Sequence, residues 1–293
     1  MILVDSELLR TMPLPQHHGN QDKDQRGQAL IVGGCTEVPG GVRLAAEAAL
    51  RAGAGKLQIA TCASIAVPMG IAIPEALVMA LAETPSGCIG AEAADAVVKR
   101  AQRADAVLVG PGMPASDDTA GFAAGLLRTV DNLTAVLDAG ALAGLLADPG
   151  STRRHAGRMV LTPHAGEMAK LMNMDRGGVE ADPLEVARRA AAAFQAVVVM
   201  KGPQTHIVSP QGQAWLFQDG TVGLAISGSG DVLGGIITGL LARGATPTKA
   251  ALWGVWLHGH AGQRLMQRHG LGFLARELPA EIPRLMAEQA APD

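Results

Sequence analysis

Short apolar runs alternate with alanine-rich helical stretches over most of the chain, and this alternation constrains the fold more than any other feature. The first unit consists of the run ALIVGG at 29–34, the helical stretch at 41–55 and the run KLQIAT at 56–61. Strand–helix–strand units connect in a right-handed sense and produce a mostly parallel sheet with helices on both faces. Further strand candidates lie at 76–80, 105–112, 134–140, 158–164 and 197–202, and helical candidates lie near 91–104, 116–129, 166–172 and 182–195. We therefore predict an α/β fold.

The alternation of strand and helix candidates ends after residue 202. The runs THIVS and QAWLF flank the turn SPQG at 209–212, where proline and glycine take positions typical of a type I turn. This pattern predicts an antiparallel hairpin at the edge of the sheet. From Thr248 onward the sequence is helical in character and has no strand candidate. We expect an N-terminal extension at 1–28 and a single catalytic domain at 29–293.

Composition excludes several classes of partner. The net charge of −3 gives no electrostatic footprint for nucleic acid or an anionic membrane, and the 2% of aromatic residues leaves no platform for stacking bases. The longest apolar run, at 232–242, is about half of a membrane span. Three cysteines without CxxC spacing argue against a disulfide framework or a zinc site. We expect a cytoplasmic protein that binds neither nucleic acid nor membrane.

The predicted strand ends carry residues that could contact a ligand, because parallel α/β sheets bind ligands at the carboxyl ends of their strands. Gly40 and Gly41 start the helix after the first predicted strand, where a plain turn and a ligand cradle are both open readings. The glycines of 110–112 would let a ligand approach the backbone. Asp138 ends another strand, and we expect it to cap the next helix, with a chemical role as the alternative.

Two further strand ends carry ionisable side chains. His164 precedes a helix and Glu167 lies in its first turn, where a carboxylate is favoured by the helix dipole. Lys201 closes an apolar strand and could face the phosphates or base of a nucleotide. An exposed histidine and a solvated lysine are the structural alternatives. A role in ligand binding is favoured for these residues because parallel strands place them at the same edge of the sheet.

The stretch SGSGD at 227–231 gives the clearest chemical signal. Its glycines allow a tight turn whose amides, with the N-terminus of a helix predicted to begin near Val232, form a nest for a phosphoryl group. Asp231 would then lie beside that nest as a base, or would simply cap the helix. Helix glycines cost about 1 kcal/mol each relative to alanine, so Gly235 and Gly239 predict a side that something approaches closely. Amides and a carboxylate together suit phosphoryl transfer to a hydroxyl.

The motifs taken together resemble those of a known family. SGSGD with its apolar helix is similar to the anion-hole motif of the ribokinase-like superfamily, and the whole set resembles the ADP- or ATP-dependent NAD(P)H-hydrate dehydratases. The matching pieces extend from residue 29 to about 244 and are IVGG with VPGG, VGPG, LDAGAL, LTPHAGEMAKL, VVVMKGPQT and GSGDVLGGIITGLLA. The resemblance implies a three-layer α/β/α fold with a mostly parallel sheet and an antiparallel edge hairpin. It also implies repair of hydrated NADH or NADPH by phosphorylation of the ring hydroxyl, followed by loss of phosphate.

The resemblance assigns roles to individual residues. Asp231 would be the catalytic base and would contact the hydrated nicotinamide nucleotide together with Gly41, Gly112 and His164. The adenine nucleotide, ADP or ATP, would be held by Lys201, Gly202, Pro203, Gln204, Thr205 and Gly230. The anion hole would be formed by Gly228, Ser229 and Gly230. Glu167 would organise Mg²⁺, and a homo-oligomer is expected.

The sequence also departs from the family pattern. Gly140 replaces a second aspartate, Val38 replaces a tyrosine, and Gly41 stands where alanine is usual. The alternative functions are a small-molecule kinase of the same superfamily, acting on a vitamin precursor or a sugar, and a non-catalytic sensor of adenine nucleotide. A stable phosphorylated product would identify the kinase, and binding without turnover would identify the sensor.

Overall fold

Ten strands form one sheet in a computed structural model, which describes residues 1–16, 22–148 and 150–290. The strands are β1 (Ile2–Leu3), β2 (Gln28–Val32), β3 (Lys56–Cys62), β4 (Ala76–Leu81), β5 (Ala106–Val109), β6 (Ala135–Leu137), β7 (Met159–Leu161), β8 (Val197–Met200), β9 (Thr205–Val208) and β10 (Ala214–Phe217). Their order across the sheet is β1-β10-β9-β8-β7-β6-β5-β2-β3-β4. Strand β9 pairs antiparallel with both neighbours, and every other pairing is parallel. The predicted parallel sheet with an antiparallel hairpin is confirmed.

Helices cover both faces of the sheet. They are α1 (Ser6–Thr11), α2 (Gly40–Arg51), α3 (Ala63–Ala72), α4 (Ala94–Ala101), α5 (Asp117–Thr129), α6 (Gly144–Ala147), α7 (Ala165–Leu171), α8 (Arg176–Ala181), α9 (Pro183–Phe194), α10 (Ser229–Ala242), α11 (Pro247–His269) and α12 (Leu278–Ala290). The core beneath α2, α10, α11 and α12 takes Ala29 and Ile31 of β2, whereas the core beneath α4, α5 and α9 takes Leu30 and Val32. This alternation along one strand is what a sheet buried on both faces requires. The predicted three-layer α/β/α architecture is confirmed.

The direction of chain progression across the sheet reverses beside β2. The chain runs outward from β2 to β3 and β4 and then returns to β5 on the other side of β2. The chain therefore leaves β2 and β5 in opposite directions along the sheet, and such a switch point opens a crevice at the carboxyl ends of the two strands. The loops that follow β2 and β5 meet there, because the N–H of Gly34 donates to the carbonyl of Pro111 over 2.7 Å.

Helix α10 packs its glycines against α2. A Cβ atom on Gly235 would lie 2.2 Å from the carbonyl oxygen of Ala45, and one on Gly239 would lie 2.3 Å from that of Ala49. The predicted close approach is confirmed, and these two glycines serve contact between helices rather than contact with a phosphate. The helix begins at Ser229, three residues before the expected start near Val232.

The N-terminal segment predicted as an extension contributes to the sheet. Strand β1 pairs with β10, and Leu9 of α1 is buried in the core. Residues 17–21 of that segment, and residues 291–293 of the predicted C-terminal helical region, lie outside the described residues. Helix α3 was not predicted, and it contains Pro68. Of the helices in the described ranges, none combines the length and the apolar character that crossing a membrane requires.

Candidate active site

The first turn of α10 presents free backbone amides at the carboxyl edge of the sheet. Gly228 precedes the helix with φ of 89°, a left-handed conformation that glycine adopts without strain. The Ser229 N–H donates to the carbonyl of Ile226 over 3.3 Å, so it is not available to a ligand. The N–H groups of Gly230 and Asp231 have no acceptor within the helix. The Asp231 amide is therefore a further candidate donor at this turn, and the predicted anion hole of Gly228, Ser229 and Gly230 stays a prediction.

Asp231 lies where the two halves of the sheet diverge. It is the third residue of α10, so the alternative that it serves as the N-cap is wrong, and Gly228 occupies that position. Its pKa is raised to about 6, chiefly by burial and then by the charge of Asp138, while Lys201 and a hydrogen bond from the Gly112 N–H act to lower it. A carboxylate with a pKa close to neutrality suits general base catalysis.

Gly41 and Gly112 lie side by side next to Asp231. A Cβ on Gly41 would lie 2.6 Å from the Gly112 nitrogen and 3.1 Å from Oδ1 of Asp231. Gly112 has φ of 66°, and a Cβ there would lie 2.4 Å from the carbonyl oxygen of Val38. The structure therefore brings together three of the four residues predicted to contact the hydrated nucleotide. Larger residues at either glycine would close this corner of the site.

Asp138 belongs to a buried charge cluster and does not cap a helix. Its side chain makes no capping hydrogen bond, which corrects the expectation from the sequence. Its Oδ1 atom instead accepts from Thr162 Oγ1 over 2.7 Å and from Lys201 Nζ over 2.8 Å. Asp138 is 2% exposed, so without these donors its charge would be costly to bury. The chemical alternative considered for Asp138 fits the geometry better than the cap.

Lys201 lies in the buried charge cluster with Asp138, whereas the residues directly after it are exposed. Burial acts to lower the pKa of Lys201, but the charges of Asp138 and Glu167 outweigh that effect and hold the pKa above its usual value. The Nζ atom lies 3.4 Å from the position that a Cβ on Gly230 would occupy. The next three residues, 202–204, form an exposed turn, and Thr205 starts β9 opposite Phe217. Within the predicted nucleotide set, the structure thus brings Lys201 and Gly230 together.

His164 and Glu167 form a reciprocal cap on α7. Nδ1 of His164 accepts from the backbone N–H groups of Gly166 and Glu167, and Glu167 Oε2 accepts from the His164 N–H over 2.8 Å. Glu167 Oε2 also lies 3.9 Å from Lys201 Nζ, which links this cap to the buried charge cluster. A cavity of about 360 Å³ opens beside His164, with Met113, Gly140 and Leu142 among its lining residues.

Gly140 is close to the loop after β5. A Cβ on Gly140 would lie 2.3 Å from the carbonyl oxygen of Pro114, so this backbone approach leaves no room for the aspartate typical of the family. The segment 138–140 accordingly carries one carboxylate, that of Asp138, where the family pattern has two.

The residues present could bind magnesium only if the phosphates of a nucleotide supplied further ligands. No three histidine, cysteine, aspartate or glutamate side chains converge as a metal site within the ranges that the structure describes. Magnesium at phosphoryl-transfer sites is usually held by one or two carboxylates together with phosphate oxygens and water. Glu167 Oε1 is the oxygen of that side chain not used in the cap hydrogen bond. Glu167 therefore stays the predicted magnesium ligand, with the phosphates of a nucleotide as the source of the further oxygen ligands.

Sequence reasoning missed two residues of the site. Thr162 donates to Asp138 from the end of β7, and its position directly after an apolar run was the available signal. His258 of α11 lies 3.0 Å from the Ser229 hydroxyl. Nothing in the helical pattern of 247–269 distinguishes His258 from the other histidines, because its contact depends on how α11 packs against α10.

Comparisons with known proteins agree with the motifs. The model of a family described as NAD(P)H-hydrate dehydratase matches residues 29–284. The chain is 48% identical over 289 residues to the ADP-dependent (S)-NAD(P)H-hydrate dehydratase of Xanthomonas campestris pv. campestris, and the match covers 97% of this chain and 95% of that protein. It also matches the bifunctional NAD(P)H-hydrate repair enzyme of Moorella thermoacetica, and it spans about half (54%) of that protein's length.

Solved structures agree with the fold. The ADP/ATP-dependent NAD(P)H-hydrate dehydratase of Bacillus subtilis, co-crystallised with ATP and Mg²⁺, superposes with a TM-score of 0.81 and 29% identity over 98% of each chain. A ribokinase-like superfamily protein from Enterococcus faecalis superposes with a TM-score of 0.83 and 23% identity, over 99% of this chain and 97% of that one. The ribokinase-like fold predicted from the motifs is confirmed.

Proposed function

The chain belongs to the NAD(P)H-hydrate dehydratase family, and from that membership we propose that it restores hydrated NADH or NADPH at the expense of ADP or ATP. The observation that carries the proposal is the position of Asp231, whose carboxylate lies beside free helix amides and beside Gly41 and Gly112. A base next to an anion-binding turn is what phosphoryl transfer to a hydroxyl requires. Asp138 and Lys201 lie close enough to influence the charge state of that base.

The proposed reaction has two stages. Asp231 accepts the proton of the ring hydroxyl as the hydroxyl oxygen attacks the terminal phosphorus, and the bond from that phosphorus to the leaving AMP or ADP oxygen breaks. The amides of Gly230 and Asp231 and the ammonium of Lys201 stabilise the charge on the transferred group. Phosphate then departs with the electrons of the carbon–oxygen bond, a neighbouring ring carbon gives up a proton to water, and the electrons of that carbon–hydrogen bond re-form the double bond.

Magnesium would be held by Glu167 together with the phosphates, and it would neutralise charge between the phosphoryl groups. Glu167 is fixed in place by the His164 N–H, so the capping box would also orient the metal ligand. His164 is exposed at the mouth of the cavity, where the remainder of a dinucleotide could extend.

The function is tested by incubating the protein with hydrated NADH, magnesium and either ADP or ATP. We expect the absorbance of reduced nicotinamide to recover only with nucleotide present, with one AMP formed for each ADP, or one ADP for each ATP. Recovery without nucleotide consumption would contradict the phosphorylation mechanism. A phosphorylated product that persists would indicate the kinase alternative, and nucleotide binding without any turnover would indicate the sensor.

We further propose a cytoplasmic homo-oligomer. The cytoplasmic location is supported by three free, buried cysteines. Oligomerisation is supported by helix α3 and the edge strand β4, where Val67, Ile71 and Leu77 are exposed to 73%, 77% and 49%. An apolar patch at a sheet edge commonly marks an interface. Light scattering coupled to size exclusion would give a single-chain mass if this part of the proposal is wrong.

A further inference from the structure

His258 contacts Ser229, the first residue of α10, the helix whose amides are proposed to bind phosphate. Its Nε2 atom lies 3.1 Å from the carbonyl oxygen of Ser229 and 3.0 Å from the Ser229 hydroxyl. Both contacts come from one ring nitrogen on α11, the helix packed against α10. The directly following residues, Gly230 and Asp231, supply the amides proposed to bind phosphate.

The hydrogen positions follow from which atoms can donate. A carbonyl oxygen only accepts, so Nε2 of His258 must carry a hydrogen. The pKa of His258 is lowered to about 4, chiefly by burial, against the opposing hydrogen bond to Ser229 and with a further lowering by Lys201. The ring is therefore neutral near pH 7, with its single hydrogen on Nε2. The Ser229 hydroxyl must then act as an acceptor toward His258.

This arrangement leaves the hydrogen of the Ser229 hydroxyl available. Ser229 is 5% exposed, and its hydroxyl has no second hydrogen-bond partner among residues 1–16, 22–148 and 150–290. A buried hydroxyl with an unused hydrogen at the start of an anion-binding helix is suited to a phosphate oxygen.

We propose that His258 is a positioning residue that orients the Ser229 hydroxyl to donate its hydrogen to the terminal phosphate of the nucleotide. The proposal rests on the proposed function for its ligand. Phosphate binding at this turn would thus use one side-chain donor in addition to the amides of Gly230 and Asp231.

The test compares Ser229→Ala, His258→Leu, the double variant and His258→Gln by calorimetric titration with ADP and magnesium. A hydrogen bond to a charged group corresponds to a change of about tenfold or more in affinity. We expect Ser229→Ala and His258→Leu each to weaken ADP binding about tenfold, and the double variant to bind no more weakly than either. His258→Gln, whose amide can donate to Ser229, should retain most of the affinity.

His260→Leu is the matched control. His260 lies on the same helix, but it stacks on Trp256 and its Nδ1 contacts the Trp256 carbonyl. We expect its ADP affinity to equal that of the wild type. Additive losses in the double variant, or wild-type affinity in Ser229→Ala, would overturn the proposal. Ser229→Ala leaves the His258 ring in place, so the ADP affinity of this variant still tests the proposal if His258→Leu does not fold.

Activity measurements separate this inference from the proposed function. With hydrated NADH, both single variants should lower kcat about 10- to 100-fold, with less than about a threefold change in the KM of the hydrated substrate. If the wild type binds ADP but does not convert hydrated NADH, the proposed function fails while the ADP titrations still decide the role of His258.

Discussion

The ammonium of Lys201 lies 2.8 Å from Oδ1 of Asp138, and this contact joins the ends of β8 and β6 across β7. Thr162, at the end of β7, donates to the same oxygen. The three side chains therefore connect three adjacent strand ends beneath the α10 turn. Because Asp138 is almost fully buried, both donors offset the cost of burying its carboxylate.

Replacing Lys201 should destabilise the fold. Lys201→Met leaves the Asp138 carboxylate buried without its cation, and removal of one partner of a buried ion pair costs about 3 kcal/mol or more. Urea denaturation would measure the free energy of unfolding of each variant. Lys99→Met, at an exposed position on α4, should be near neutral. Addition of Asp138→Asn to Lys201→Met should recover part of the loss, and a failure to recover any would contradict the pairing.

The pH dependence of activity should report Asp231. Its pKa of about 6 predicts that kcat/KM falls about tenfold per pH unit below about pH 6, because the protonated carboxyl cannot act as a base. Lys201 acts to lower this pKa, so Lys201→Met should move the acidic limb to higher pH. A pH profile measured with both proteins would show this displacement. An unchanged midpoint would mean that another group controls the limb.

The stability of Asp231→Asn should depend on pH in a defined direction. The pKa of Asp231 is raised from 3.8 in its usual state to about 6 in the folded protein, so its contribution to stability is present below about pH 4 and lost as the pH rises through 6. Asparagine carries no charge to bury. We expect the variant to be more stable than the wild type at pH 8, with the difference disappearing near pH 4. Thermal unfolding at the two pH values would show no such difference if burial of the charge were not costly.

The glycines of α10 should be required for packing. Gly235→Ala places a Cβ 2.2 Å from the Ala45 carbonyl, which is backbone and cannot move cheaply. Overpacking costs about 1–3 kcal/mol, and a contact this short with backbone belongs at the upper end of that range, above the roughly 1 kcal/mol that alanine gains in helix propensity. Gly40→Ala, where a new Cβ meets nothing within 4 Å, should be neutral or stabilising. Equal unfolding free energies for the two variants would contradict this account.

The sheet could be predicted because the short, wholly apolar runs are typical of strands buried on both faces. The edge of the sheet that carries the candidate site could be predicted because the glycine-rich and ionisable motifs follow directly after those strands. Two contacts of the candidate site could not be predicted from the sequence. Asp138 was expected to cap a helix because a carboxylate at a strand end looks the same in sequence whether it binds an amide or a lysine 63 positions away. His258 was missed because its contact with Ser229 exists only once α10 and α11 pack together.

The most direct test of the mechanism is the kcat of Asp231→Asn, measured at saturating ADP and hydrated NADH with magnesium. Asparagine preserves size and polarity but cannot accept the proton, and loss of a positioned general base lowers rates about 10²- to 10⁴-fold. We expect a fall in kcat of that size, with ADP binding retained or tightened because one negative charge beside the phosphates is gone. A kcat within about threefold of the wild type, well below the loss expected for a general base, would contradict the assignment of Asp231 as the base.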